Sequence, residues 1–235
     1  MPQNAAAESA SRIFGGLKGK LIVSCQADPG DPMDHVETIS RMAASVLRGG
    51  AAGLRAEGAR HISLLRTLSD RPIIGMVKAR DANGDVYITP TFEAAKAVSL
   101  AGSDVIAVDC THRRLHEAQP WPQLIQRIRS ELMRPVLADI ATIDDGLAAQ
   151  AAGADAVATT LHGYTVETAG IRSFSWSLLD ELVARLIIPV IAEGHINCPE
   201  DVTRALKAGA HAVLVGSAIT RPQTITARFV AATCV

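Results

Sequence analysis

Four ionisable residues close apolar stretches of this chain in a way that core packing alone does not require. Lys78 follows IIGMV, Glu193 follows PVIA, Asp139 follows PVLA and Arg55 follows AAGL. A charge at the end of a buried run is costly in a dry interior and tolerable in a wet pocket built for a polar ligand. A lysine crowded by Arg55 and by pocket walls is pushed toward neutrality and becomes a base. A glutamate in a continuous apolar run needs a partner or a task, so a functional reading of Glu193 stands ahead of a structural one. Plainer readings remain open for the others. Lys78 also reads as an exposed lysine where a strand meets a loop, Asp139 as the cap of the following helix, and Arg55 with Glu57 as a simple ion pair.

A second group of residues suits an anion. Gly194 follows Glu193, and Gly216 with Ser217 follows the last apolar run. Glycine lets backbone approach a ligand closely, and N–H groups at a helix N-terminus attract negative charge. Arg221 either adds a direct charge contact or is a surface arginine. Pro222 then opens the last helix, a favoured position.

These residues need elements to carry them. Short apolar runs recur at 21–24, 53–56, 73–77, 104–108, 135–138, 156–159, 189–192 and 212–215, eight in all. They are continuous rather than alternating, as expected of parallel strands buried on both faces. Helical patterns separate most of them, at 35–48, 91–100, 122–131, 143–152, 176–186 and 199–208. Several of these stop at glycine, as in AGS at 101–103 and AGA at 152–154 and 208–210. Thr142 with Asp145 resembles an N-terminal capping arrangement. Residues 80–90, RDANGDVYITP, carry an Asn83-Gly84 turn signal and read as a hairpin-like insertion after the third strand.

The expected fold is therefore α/β, a single-domain (β/α)8 barrel over 1–235, with 1–12 either fraying or forming a short N-terminal helix. An open doubly wound sheet lacks support, because the first strand ends VSCQADP with no glycine-rich fingerprint. In a barrel the C-terminal strand ends meet at one mouth, and phosphate often binds after strands seven and eight. All eight strands contribute there: Ser24 and Gln26, Arg55 and Glu57, Lys78, Asp109, Asp139, Thr159 and Thr160, Glu193, and Gly216 with Ser217.

Composition removes several function classes. The 24 acidic and 23 basic residues leave a formal charge of −1, and aromatics are only 3%. Neither a basic patch nor a stacking platform for nucleic acid is indicated. No apolar run approaches the roughly 18–20 residues of a membrane span, and the N-terminus lacks a signal-peptide pattern. The 4 cysteines, at 25, 110, 198 and 234, form no CxxC pair; a cytoplasmic protein with reduced thiols is the simplest reading. Cys25 and Cys110 have no histidine at recognisable spacing and read as small structural thiols. The 7 histidines, His162 and His195 among them, show no metal-ligand spacing, so no metal is expected.

Eight short blocks in order give a more specific signal. SCQA (24–27), GLRAEG (53–58), IIGMVK (73–78), VYITPT (86–91), ADIAT (138–142), TTLHGYT (159–165), PVIAEGHI (189–196) and VGSAITRP (215–222) together resemble the N-acylglucosamine-6-phosphate 2-epimerases, also known as N-acetylmannosamine-6-phosphate 2-epimerases. The likeness spans 20–230 and implies a (β/α)8 barrel. It implies Lys78 and Glu193 as the catalytic pair, Gln26, Arg55 and Asp139 as pocket residues and Gly216-Ser217 as the phosphate-binding turn; with the strand-end reading, Thr160 and Arg221 join the substrate-binding set and Gly194 the phosphate-binding one. DCTHRRLHE at 109–117 departs from the family pattern, with Cys110 in place of a smaller residue and His116 near a usual proline. HGYTVETAGIRSFSW is a second departure, a long loop at the pocket rim.

The resemblance implies inversion of C2 of a sugar 6-phosphate in sialic acid and amino-sugar breakdown. That carbon adjoins the C1 aldehyde of the open chain, so its proton is acidified. Removal gives an enediolate-like intermediate, and return on the other face inverts the centre. Arg55 would stabilise the developing charge and Asp139 would orient Lys78 or a hydroxyl. No cofactor is required. The implied partner is a small sugar phosphate, with neither nucleic acid nor membrane, and a homodimer is left open. Two rivals remain: a Schiff-base aldolase of 2-keto-3-deoxy sugar phosphates, which would also use a barrel lysine, and a barrel that binds a sugar phosphate without chemistry.

Overall fold

The computed structural model describes residues 2–80, 84–115 and 119–233. Along the chain run α1 (Pro2–Leu17), β1 (Leu21–Cys25), α2 (Val36–Arg48), β2 (Gly53–Glu57), α3 (Ala59–Leu68) and β3 (Ile73–Met76). A hairpin of β4 (Lys78–Arg80) and β5 (Val86–Ile88) follows, then α4 (Phe92–Leu100), β6 (Val105–Asp109), α5 (Trp121–Glu131), β7 (Val136–Asp139), α6 (Ile143–Ala151) and β8 (Ala156–Ala158). The last third holds α7 (Trp176–Arg185), β9 (Val190–Glu193), α8 (Pro199–Lys207), β10 (Ala212–Val215), α9 (Ser217–Thr220) and α10 (Pro222–Ala231).

Eight of the strands close a parallel barrel in the order β1, β2, β3, β6, β7, β8, β9, β10 and back to β1. This is the (β/α)8 architecture expected from the apolar runs. Alternate residues of each strand join two different cores. Val23, Leu54, Ile73, Ile106, Val136, Val190 and Val213 pack with the helices. Ile22, Ile74, Val105, Leu137, Ile191 and Ala212 fill the barrel interior. Both faces are buried, which is why the runs read as continuous in the sequence.

Of the two expectations for the N-terminus, the helix is the one that forms, and it is longer than expected: α1 runs for 16 residues. Ala6, Ala10, Ile13, Phe14 and Leu17 are buried, and the last four belong to the interior core. His211 Nε2, just before β10, lies 2.7 Å from Phe14 O. α1 thus closes the end of the barrel opposite the mouth. Its small polar residues sit on the solvent side, which hid the apolar stripe.

Two further differences matter for the site. α3 was not expected; only Ile62 and Leu65 of its 10 residues are buried, too faint a periodic signal. The insertion after the third strand is a hairpin, but it begins earlier than expected. Lys78 pairs with Ile88 and Arg80 with Val86, so Lys78 opens β4 rather than ending β3. The turn position Asn83 lies outside the described residues. Thr142 caps α6 in a full capping box with Asp145, which leaves Asp139 free of the capping role. Among the described residues no helix is long and apolar enough to cross a membrane.

Candidate active site

Below the mouth, an ion cluster spans the barrel. Arg55 points inward from β2 and reaches the opposite wall. Its Nη1 donates to Glu193 Oε2 at 2.7 Å and to Asp139 Oδ1 at 2.9 Å, and its Nη2 donates to Asp139 Oδ2 at 2.6 Å. Arg55 is 1% exposed and Asp139 0%. The inward positions of the facing strands are small, Ala107, Ala156 and Ala158, which leaves room for the long side chain. The alternative pairing of Arg55 with Glu57 is not what forms.

Thr160 completes the cluster. Its Oγ1 lies 2.6 Å from Asp139 Oδ1 and 2.9 Å from Glu193 Oε2. The neighbouring Thr159 fixes the Glu193 backbone from both sides: its Oγ1 donates to Glu193 O at 2.7 Å and accepts from Glu193 N at 3.0 Å. Two carboxylates and one guanidinium leave a negative excess. Burial pushes the Glu193 carboxyl up to about 7, Arg55 opposes this and Asp139 adds to it. Burial works against the charge of Arg55, but Asp139 and Glu193 outweigh it and hold the guanidinium above its ordinary range. A buried ion cluster is a weak source of stability, and a carboxyl tuned toward neutral pH is suited to proton transfer.

Above the cluster lies a cavity of about 600 Å³. Gln26, Lys78, Thr160, Glu193, Gly194, Gly216, Ser217 and Arg221 all line it. Eight of the ten expected site residues therefore share one space. Arg55 and Asp139 do not line it; they lie beneath, behind Glu193. Both hydrogen-bond to the carboxyl or hydroxyl of residues that do line it: Arg55 to Glu193, and Asp139 to Thr160.

Lys78 is placed differently from expectation as well. Its Nζ lies 3.3 Å from Asp28 Oδ1 and 3.7 Å from Glu57 Oε2, while its backbone N donates to Glu57 Oε1 at 3.3 Å. Neither Arg55 nor Asp139 is its partner. Asp28 also binds Arg221, with Oδ2 2.6 Å from Nη2. Asp28, two residues beyond Gln26 in the same loop, was missed in the sequence; its nearness to a strand end that already carried a candidate was the available signal. Gln26 Nε2 donates to Ser24 Oγ at 2.7 Å.

The hairpin that carries Lys78 is fastened from β6. Arg113 Nη2 lies 2.7 Å from Asp109 Oδ2 and 2.7 Å from Val86 O, and its guanidinium stacks 4.3 Å over the Tyr87 ring. Asp109 and Arg113 of the atypical segment thus hold one wall of the cavity. Its Cys110 is buried, and burial first, then Asp109, raises the thiol well above its usual range. Cys25 is pushed up to about 12 by burial. Both fit the reading as structural thiols. His116 lies outside the described residues.

Directly after Glu193, Gly194 adopts φ +88, a conformation that a side chain would strain. Gly216 leads directly into the short α9; a Cβ there would stand 3.3 Å from Ser24 Cβ, tighter than ordinary contact. The loop after β8 supplies Tyr164, whose ring stacks on His195 with centroids 5.4 Å apart. Both residues line the cavity, and neither was singled out as a site residue in the sequence.

Comparison with known proteins gives the family. A family model described as "Putative N-acetylmannosamine-6-phosphate epimerase" matches residues 39–234. Relatives named "Putative N-acetylmannosamine-6-phosphate 2-epimerase" include one from Cutibacterium acnes, 43% identical over 93% of this chain and 95% of the relative. Another, from Thermosynechococcus vestitus, is 45% identical over 92% and 94%. Among solved structures, the N-acetylmannosamine-6-phosphate 2-epimerase from Clostridium perfringens superposes with a TM-score of 0.89 at 39% identity, covering 93% of this chain and 95% of that one. With the match reaching from α2 to the end of the barrel and beyond, the chain belongs to the N-acetylmannosamine-6-phosphate epimerase family.

Proposed function

We propose that the protein is a cofactor-independent isomerase that inverts C2 of N-acetylmannosamine 6-phosphate to give N-acetylglucosamine 6-phosphate, reversibly. The observation that carries this reading is the cavity itself. It puts Glu193, a carboxyl raised toward neutral pH, and Lys78 on the walls of one space that Gly194, Gly216, Ser217 and Arg221 also line. Proton-transfer groups and an anion cradle in one cavity suit a small sugar phosphate.

In this mechanism the open-chain aldehyde lies near Glu193 and Lys78. One of the pair removes the C2 proton, and the other returns a proton to the opposite face. Thr160 and Gln26 orient the sugar from the same wall. Arg55 and Asp139 act through Glu193: they fix its carboxyl in one place, so no reorganisation is needed as charge moves. The phosphate, held by Gly194, Gly216, Ser217 and Arg221, anchors the substrate so that its binding energy positions C2.

The test is incubation with N-acetylmannosamine 6-phosphate in D₂O. Deuterium at C2 of the product, with N-acetylglucosamine 6-phosphate formed, supports the reading. Binding without exchange would instead mark a sugar-phosphate sensor, and borohydride trapping on Lys78 an aldolase.

A homodimer is supported by α10, which buries none of its side chains and leaves Phe229 73% and Val230 57% exposed. A cytoplasmic setting is supported by Cys25, Cys110 and Cys198, none of which is in a disulfide.

A further inference from the structure

Asp28 bridges two cationic residues of the cavity with opposite oxygens of one carboxylate. Oδ1 faces Lys78 Nζ at 3.3 Å, and Oδ2 faces Arg221 Nη2 at 2.6 Å. The proposed proton-transfer lysine and the proposed anion-binding arginine are thus joined through a single side chain. We propose that Asp28 is a positioning residue that stands in for the substrate's phosphate at Arg221 and, once the phosphate has taken Arg221, holds Lys78 alone. The inference rests on the proposed roles of Lys78 and Arg221.

Three observations support it. First, the Asp28 side chain is 48% exposed, while those of Lys78 and Arg221 are 21% and 20% exposed; the bridge sits at the rim, where an incoming anion meets it. Second, Asp28 is held ionised. Burial opposes its charge, but Arg221 and then Lys78 outweigh this and lower its pKa. Third, the competition is unequal. A phosphate brings more charge and more acceptor oxygens to a guanidinium than one carboxylate oxygen does. Asp28 therefore yields Arg221 without having to leave Lys78.

Loss of the Asp28 charge has two effects of opposite sign. Arg221 is no longer contested, so anions bind it more tightly. Among the described residues Lys78 keeps only Glu57, at 3.7 Å, so its ammonium is less well placed and the chemical step slows. A merely structural role would produce neither the gain nor the pairing of gain with loss.

The experiment compares wild type, Asp28→Asn and Asp28→Glu by calorimetric titration with inorganic phosphate and by steady-state kinetics with N-acetylmannosamine 6-phosphate. Asp28→Asn is expected to bind phosphate about three- to fivefold more tightly, the scale of a partly exposed ion pair. Its KM falls in step, and kcat drops about tenfold or more from lost positioning. Asp28→Glu, which keeps the charge, stays near wild type in phosphate affinity. In an Arg221→Gln background, Asp28→Asn no longer tightens phosphate. Unchanged or weaker phosphate binding by Asp28→Asn, or an unchanged kcat, overturns the proposal. If the wild type does not exchange C2 at all, the functional reading fails by itself. The phosphate titration then still decides the contest at Arg221, because it needs no turnover.

Discussion

Arg55 Nη1 and Glu193 Oε2 stand 2.7 Å apart although their strands, β2 and β9, are not neighbours in the barrel. The contact crosses the barrel interior beneath the cavity. It gives Glu193 a cationic partner held in the barrel interior, from a side chain only 1% exposed.

Arg55→Gln is expected to move the Glu193 ionisation upward, because Arg55 is the main influence holding it down against burial. The limb of the kcat/KM profile that reports Glu193 should shift to higher pH. The variant should also lose about 3–5 kcal/mol of stability, the usual cost of leaving a buried charge without its partner. Denaturant unfolding and a pH–rate profile measure the two effects; a limb that stays in place would detach Arg55 from Glu193.

Lys78→Ala and Glu193→Gln should each lower turnover by about 10²–10⁴-fold while substrate still binds. If the two residues act on opposite faces of C2, each variant should still exchange the C2 proton of one epimer with solvent deuterium and fail on the other. NMR of both sugar phosphates in D₂O reads this directly. Exchange lost from both epimers in one variant but neither in the other would assign both proton transfers to a single residue.

Glu193 also links stability to pH. Its carboxyl is raised in the fold from 4.5 to about 7. A raised carboxyl contributes its stability fully below the unfolded pKa, and that contribution is lost as pH rises through the folded pKa. Glu193→Gln carries no such titration. Its Tm relative to wild type should therefore be most favourable above pH 7 and should decline as pH falls toward 4.5. Thermal melts across that window check the sign; a difference independent of pH would mean that Glu193 does not titrate there.

The phosphate should matter to rate as well as to binding. N-acetylmannosamine without phosphate is expected to show a kcat/KM reduced by orders of magnitude, since remote binding energy is used to place C2. Gly216→Val should impair the phosphorylated substrate selectively, by crowding Ser24 and displacing the start of α9. Equal kcat/KM for the two sugars would move the anion site elsewhere.

The barrel was legible in the sequence because continuous apolar runs and their spacing follow from burial on both faces. The mouth residues were legible as polar ends to those runs. Depth was not. Nothing in the spacing of Arg55 and Asp139 distinguishes a side chain that turns into the barrel from one that reaches the cavity, since that depends on strand register and on the small residues opposite. The surroundings of Lys78 were hidden for a similar reason: Asp28 and Glu57 come from different loops and strand ends, which the closed barrel brings together. α1 was obscured by its polar face, with only a narrow stripe of alanines and Ile13, Phe14 and Leu17 turned inward.

The pairing of β1 with β10, with Leu21 beside Val213, bears on how the chain is made. Until β10 has left the ribosome, β1 has one unpaired edge and the interior has a gap in its wall. A contact between such distant parts of the chain forms late and slowly, and an open strand edge invites pairing with another chain in the meantime. A nascent chain that stops before residue 212 would therefore present both a sticky edge and the apolar stripe of α1, and synthesis of this protein depends on reaching its last strand.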